Sequence, residues 1–406
     1  MSAPRPAKAD RPPRGSRKVA EPHFLERFFA SRFAASAVQA RAFVCALLVA
    51  GCSGCTTAEV QTHGQQILFA PSVVSVSGAD QWSMLIQGRI FEPVAGSPGR
   101  QALIDALAPF IGASRNDPLY RTRAGYLVSD SIRNARISIA LGDQVVQLAP
   151  SDPSGHFSAN IALTNDQVAR LSRDGVISYE SLPTPSQPSR FHGRAVLVPE
   201  EGLIVVTDMD DTIKETNVGN HAEARANTLL RPFRPVAGMP ERYREWKEAL
   251  GPRIHFHVVS AGPWQFHEPL RRFTEEAGFP DFTWDMRSVD TTQPATLIEE
   301  TVRADPNRLY EFKLQAIRAL MTRLPKRHVV LIGDSGERDP ETYATILSEF
   351  PDRVDAVFIR NVSGNGDGDG RDAKRYTALF PTVTATAKLH VFVQVSELPR
   401  RLGNPP

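Results

Sequence analysis

Cysteine is nearly absent from this chain. There are three, Cys45, Cys52 and Cys55, all close to the N-terminus. The long remainder therefore holds no disulfide framework and no thiolate metal site. A membrane-spanning run is lacking as well: the apolar stretch Ala42 to Ala50 is well short of the roughly twenty residues a spanning helix needs. Excess charge of one sign is also missing, with 47 Lys and Arg against 45 Asp and Glu and a formal net charge of +2. The first forty or so residues are basic and Pro-rich, but no aromatic-interleaved platform or zinc spacing accompanies them. No nucleic-acid partner is expected.

At 406 residues the chain has room for two domains and a terminal extension. Residues 1–56 read as a basic leader, a signal and a lipobox-like segment. Arg32 and Arg41 precede the Ala42–Ala50 run, which fits the apolar region of a secretory signal. Leu48-Val-Ala-Gly-Cys52 resembles a bacterial lipobox, and Cys52 would then carry acyl chains that give stable anchoring. The expected location is that of a membrane-anchored lipoprotein facing the periplasm or cell exterior. The alternative is a cytoplasmic protein whose leader is not a signal.

Residues 60–190 read as a small β-sandwich-like domain. Ile67–Val76, Ser83–Phe91, His156–Leu163 and Ile177–Leu182 have strand patterns, and Arg136–Leu141 with Val145–Leu148 flank a Gly-Asp hairpin signal. Gly99–Ile111 has helical apolar spacing. Leu182 to Ser189 is Pro- and Ser-rich and is the linker candidate. His156 and His192 are isolated and are read as surface or packing residues.

Residues 193–400 alternate strand-like and helix-like segments, which implies an α/β fold with a parallel sheet. Leu203–Thr207 is apolar or β-branched throughout, as in a strand buried on both faces. It ends in Asp208-Met-Asp-Asp-Thr212, three carboxylates in four positions. So much negative charge at a strand end requires a partner, and the carboxyl end of a parallel strand is where ligands bind. Ile254–Val259 leads into Ser260-Ala-Gly-Pro-Trp264, and His328–Ile332 into Gly333-Asp-Ser-Gly-Glu-Arg-Asp339. Met239–Leu250 and Phe312–Leu324 read as helices, and Ala356–Ile359 as a further strand.

These residue types suit phosphoryl transfer. Asp208 can attack phosphorus and form an aspartyl phosphate. Asp210 can protonate the leaving oxygen and then activate water. Thr212, Ser260 and Lys313 can hold the phosphate oxygens and neutralise developing charge. Asp334 can hold Mg²⁺ together with Asp208. Asp211 is read as a helix N-cap or structural partner, and Trp264 as either a lid residue or a buried packing residue. Lys326 and Arg327 are rival phosphate-binding cations to Lys313. Asn365 to Gly370 starts like a calcium loop, but Tyr376 stands where the ligand Glu is needed, so a surface loop is expected.

Asp208, Ser260, Lys313 and Asp334 fall in the order of the four motifs of the haloacid dehalogenase superfamily. More closely, Asp208–Lys214, Ser260–Trp264, Leu331–Tyr343 and Ile359–Val362 resemble the actin-patch-associated phosphatidate phosphatase family. The resemblance implies a Rossmann-like haloacid dehalogenase domain and a Mg²⁺-dependent phosphatase that converts phosphatidate to diacylglycerol. It implies a phospholipid substrate at a membrane surface. It makes Asp208 the nucleophile and a Mg²⁺ ligand, Asp210 the acid/base with its backbone carbonyl on the metal, and Asp334 the third protein ligand. Asp339 becomes a supporting residue or further metal contact, and Thr212, Ser260 and Lys313 bind the phosphoryl group. Phe312 and Glu337 depart from the family's usual His and Gln. A phosphatase of soluble organic phosphates and a non-catalytic surface lipoprotein binding a partner are the competing readings.

Overall fold

The structure is a computed structural model and describes residues 64–94, 97–289, 305–362 and 370–403. The leader, its apolar run and Cys52 lie outside the described residues, as does most of the stretch that starts at Asn365. Glu59–Pro406 forms one compact unit. Among the described residues, no helix is long and apolar enough to cross a membrane.

The front part contains β1 (Gln66–Ala70), β2 (Ser72–Gly78), β3 (Gln81–Glu92), β4 (Asp130–Ser131), β5 (Ser138–Leu141), β6 (Gln144–Gln147), β7 (His156–Leu163), β8 (Ser172–Arg173), β9 (Val176–Ser181) and β10 (His192–Leu197). All join one mixed sheet with the order β1-β3-β2-β10-β9-β5-β6; β4 and β7 also pair with β3, and β8 with β9. A sandwich-like pair of sheets was the expectation. The strands remain one sheet because β3, 12 residues long, pairs with β1, β2, β4 and β7. The pairing of β10 with β2 is parallel, which makes the sheet mixed. The Pro- and Ser-rich stretch Leu182 to Ser189 is the connection between β9 and β10. Two helices, α1 (Pro98–Ile111) and α2 (Pro118–Leu127), sit between β3 and β4, and α3 (Asn165–Leu171) between β7 and β8.

The back part is a six-stranded parallel sheet. Its strands are β11 (Gly202–Thr207), β12 (Ile254–Pro263), β13 (Phe282–Arg287), β14 (Arg327–Asp334), β15 (Val354–Arg360) and β16 (Leu389–Phe392), in the order β13-β12-β11-β14-β15-β16. Helices α4 (His221–Leu229) and α5 (Met239–Leu250) connect β11 to β12, and α6 (His267–Glu276) connects β12 to β13. Helix α7 (Pro306–Arg323) precedes β14, and α8 (Asp339–Glu349) follows it. Helices α9 (Gly370–Leu379) and α10 (Val383–Lys388) precede β16.

Every residue of β11 is buried. Its side chains alternate between two cores, as the two-residue period of a strand requires. Leu203 and Val205 join the core with α5 and α6, while Ile204 and Val206 join the core with α7 and α8. From β11 the chain runs outward to β12 and β13, then returns to place β14 on the other side of β11. That reversal creates a crevice at the carboxyl ends of β11 and β14, where α/β sheets bind ligands. Asp208 follows β11 directly, and Asp334 ends β14.

Candidate active site

The tips of β11 and β14 meet helix α7 at a buried ion cluster. Lys313 Nζ lies 2.9 Å from Asp208 Oδ1, 2.5 Å from Asp339 Oδ1 and 3.2 Å from Glu337 Oε2. Lys313, Asp208 and Asp339 are 3%, 2% and 0% exposed, so solvent screens these charges little. Burial works against the Lys313 ammonium, but Asp208, Asp339 and Glu337 outweigh it and hold its pKa well above the ordinary lysine value. Burial pushes the Asp208 carboxyl well above the usual range, against the pull of Lys313. Asp334 and Glu337 are raised as well, first by burial and then by their carboxylate neighbours.

Asp208, Asp334 and Glu337 each offer a carboxylate oxygen, and these oxygens lie within 4.8 Å of one another. Among the described residues, Asp208 Oδ2 and Asp334 Oδ2 are buried without a hydrogen-bond partner. Buried carboxylate oxygens without a donor are costly, and three convergent hard oxygens suit a divalent cation. The residues therefore fit a metal ion. Asp339 stands beside this group rather than in it: Oδ1 binds Lys313, and Oδ2 accepts the Asp334 backbone N–H at 3.3 Å. Gly333 is needed for that arrangement, because a Cβ there would come within 2.3 Å of Asp339 Oδ2. Arg375 on α9 braces the loop after β14, donating to the Ser335 and Glu337 carbonyls and to the Glu341 carboxylate.

Asp210 is held differently from Asp208. Its Oδ1 lies 2.6 Å from Lys214 Nζ and accepts from Thr216 Oγ1 at 2.5 Å. Burial opposes its charge, yet Lys214 and Thr216 prevail and lower its pKa. Asp211 has φ 55° and organises the loop. Its carboxylate accepts the backbone N–H groups of Thr216, Asn217 and Val218 at 2.8, 2.7 and 2.6 Å, the structural role expected of it. Thr212 Oγ1 is buried without a partner among the described residues, which leaves it able to donate to a bound oxygen. Ser260 is fully buried, with Oγ accepting the Gly262 N–H at 3.1 Å. The β12–β13 register shifts between Ser260 and Pro263, and such a bulge re-aims the chain beside a site. Trp264 packs: it is 4% exposed and stacks on His156 at 5.6 Å. Arg327 is 0% exposed and donates to the carbonyls of Pro199, Glu201, Leu203 and Arg253, while Lys326 pairs with Glu200 on the surface. Neither reaches the cluster.

A cleft of about 240 Å³ opens on this cluster and includes Asp208, Asp210, Lys214, Ala261, Gly262 and Glu337 in its lining. Glu337 is the residue that motif reading noted only as a departure. The signal that could have raised it is its position, three residues past Asp334 at the end of a buried strand.

Residues 203–361 match the family model for the catalytic domain of phosphatidate phosphatase APP1. The chain is 30% identical over 188 residues to an uncharacterized protein of Schizosaccharomyces pombe, covering 46% of this chain and 29% of that one. It is 28% identical over 272 residues to phosphatidate phosphatase APP1 of Saccharomyces cerevisiae, covering 63% of this chain and 42% of that one. The matches bear out the resemblance to the actin-patch-associated phosphatidate phosphatase family that Asp208–Lys214, Ser260–Trp264 and Leu331–Tyr343 carry. The chain spans less than half the length of each of these curated relatives.

Proposed function

We propose that this protein is a divalent-metal-dependent phosphatase of the haloacid dehalogenase type whose substrate is phosphatidate. One observation carries the reading: Asp208 has a buried, unpartnered Oδ2 at a parallel-strand end, beside Lys313 and within 4.8 Å of Asp334 and Glu337 oxygens. Asp208, Asp334 and Glu337 would hold Mg²⁺, with the Asp210 backbone carbonyl. The ion would neutralise charge on the phosphate and orient it. Asp208 attacks phosphorus, forms the aspartyl phosphate and expels the diacylglycerol alkoxide, which takes a proton from Asp210 once that carboxyl is charged with one. Asp210 then takes the proton from water as the water attacks the phosphorus of the aspartyl phosphate, which regenerates the Asp208 carboxylate and releases phosphate. The ion pair with Lys214 favours ionised Asp210, the form required for this second step. Lys313 offsets the charge on the transferring group, Thr212 and Ser260 donate to its oxygens, and Asp339 holds Lys313 in place.

The substrate comes from the named relative and is supported by the cleft, whose lining joins the carboxylates to Leu127, Leu229, Phe233 and Phe266. An apolar wall beside a phosphate site suits an amphiphilic phosphomonoester. A lipid anchor at Cys52, facing the periplasm or cell exterior, would suit a substrate that stays in a bilayer. Phosphate release from phosphatidate in mixed micelles with Mg²⁺ tests the reading. Asp208→Asn is expected to lower the rate at least about a thousandfold, the usual scale for a lost nucleophile. Wild-type activity in that variant would contradict the assignment.

A further inference from the structure

Among the described residues, Leu127 is the one residue in the cleft lining that comes from the front part of the chain. It ends α2, which belongs to the segment between β3 and β4. That helix is fixed at both ends. Asp117 caps its N-terminus, accepting from Leu119 N and Tyr120 N at 2.9 and 3.0 Å, with Pro118 at the first helical position. Tyr120 OH donates to the Ile104 carbonyl on α1 at 2.8 Å. Toward its C-terminus, Arg123 is buried and spans into the back part of the molecule. Its Nη1 donates to the Thr228 carbonyl at 2.8 Å and the Arg231 carbonyl at 2.5 Å, at the end of α4. The same guanidinium lies 3.7 Å from the centroid of the Phe233 ring. Carbonyls at a helix C-terminus lack partners within the helix and carry its negative dipole end, so a buried cation satisfies both.

The segment that Arg123 holds also lines the cleft, through Ala224, Arg225, Thr228, Leu229 and Phe233. Leu127 and Leu229 share one continuous core with α5 and α6. A helix from the strand-rich front part thus closes one wall of a cleft whose floor is the β11 tip.

We propose that α2 is the wall against which the apolar chain of the substrate packs, with Leu127 in contact with that chain and Arg123 as the positioning residue that fixes α4 and Phe233 opposite it. This deepens the phosphatase reading and rests on it for the position of the phosphate. The occupant is the hydrocarbon part of an amphiphilic phosphomonoester. The lining combines Leu127, Leu229, Phe233 and Phe266 with the carboxylates of Asp208, Asp210 and Glu337, and a ligand with both characters fits it. Arg123 touches no substrate atom; it sets the width between α2 and Phe233.

Binding separates this inference from catalysis. The Asp208→Asn protein, with and without Leu127→Gln, is titrated calorimetrically with dioctanoyl phosphatidate and with inorganic phosphate. Leu127→Gln is expected to weaken the lipid at least about tenfold more than phosphate. Leu127→Ala, which removes bulk without adding a polar group, is expected to weaken it in the same direction. Equal loss for both ligands, or no lipid binding by the parent protein, would overturn the inference whatever the turnover. In the otherwise wild-type enzyme, Arg123→Lys retains the charge but not the paired carbonyl contacts. It is expected to raise KM for dioctanoyl phosphatidate about fivefold or more while kcat falls less than about threefold. An equal fall in kcat with KM unchanged would contradict a positioning role. Failure of the phosphatase reading itself would appear elsewhere, as retained turnover in Asp208→Asn.

Discussion

Two aspartates two positions apart are placed in opposite electrostatic states. Asp208 faces Lys313 and three other carboxylates within a buried cluster, and its charged form is disfavoured by burial. Asp210 faces Lys214 and Thr216, and its charged form prevails. As nucleophile Asp208 must be ionised, a form that Lys313 favours and a bound cation would favour further, whereas Asp210 must gain a proton before it can act as the acid. Glu337 belongs to the same balance. With Asp208 and Asp334 it brings a third acidic group to the candidate metal position, and Glu337→Gln removes one negative charge there. Mg²⁺ affinity is expected to fall about tenfold, one charged ligand's worth on the scale of tuned sites. The rise in melting temperature on adding Mg²⁺ checks this without reference to activity, since a ligand of the native state stabilises it by mass action. A Mg²⁺-induced rise as large in Glu337→Gln as in wild type, at every concentration, would remove Glu337 from the ligand set.

At the scale of elements, legibility followed local signals. The helix Met239–Leu250 is readable because its buried face repeats at helical spacing, and strands β11, β12, β14 and β15 because their runs are apolar and largely buried. The order Asp208, Ser260, Lys313, Asp334 is readable from the motifs; parallel strands bring Asp208, Ser260 and Asp334 to one edge, and α7 brings Lys313. Helix α2 and strands β10, β13 and β16 carry weaker local signals. β16 is four residues long, with two exposed positions, so it carries no buried pattern. Helix α2 starts with Asp117-Pro118, an N-cap followed by a first-turn proline; that signal was present, but too few apolar residues follow it to give a periodic face. Asp339 and Glu337 are distinguishable only in three dimensions, because both reach Lys313 and the turn after β14 decides which of them also joins Asp208 and Asp334. Loss of the α2 cap tests the element itself. Asp117→Ala is expected to destabilise the protein by about 1 kcal/mol, read from chemical unfolding. An unchanged midpoint would mean that α2 does not depend on its cap.

At the scale of the whole molecule, the front and back parts are joined by buried aromatic and imidazole groups. His156 stacks on Trp264, and His267 lies against both Trp264 and Trp284. His267 is 0% exposed, and neither ring nitrogen has a hydrogen-bond partner among the described residues. Burial, with Arg271 adding to it, lowers its pKa to about 3. His255 is lowered in the same direction by burial and by His257. The unfolded chain protonates these rings near the ordinary value of about 6.5, whereas the folded protein keeps them neutral. Their effect on stability is therefore absent above that pH and grows as the pH falls toward 3. His267 alone contributes a loss of about 1.4 kcal/mol per pH unit across that window. His267→Phe is expected to flatten the acid limb of the stability profile by that slope. An acid limb of equal steepness in wild type and variant would mean that His267 titrates normally.

The central claim is that Asp208 carries the phosphoryl group. Acid-quenched turnover followed by borohydride reduction tests it most directly, because reduction of an aspartyl phosphate leaves homoserine at the modified position. Peptide mapping is expected to show homoserine at position 208 when phosphatidate and Mg²⁺ are both present, and at no other aspartate. Sustained turnover with position 208 unmodified, or homoserine at position 210 instead, would contradict the assignment.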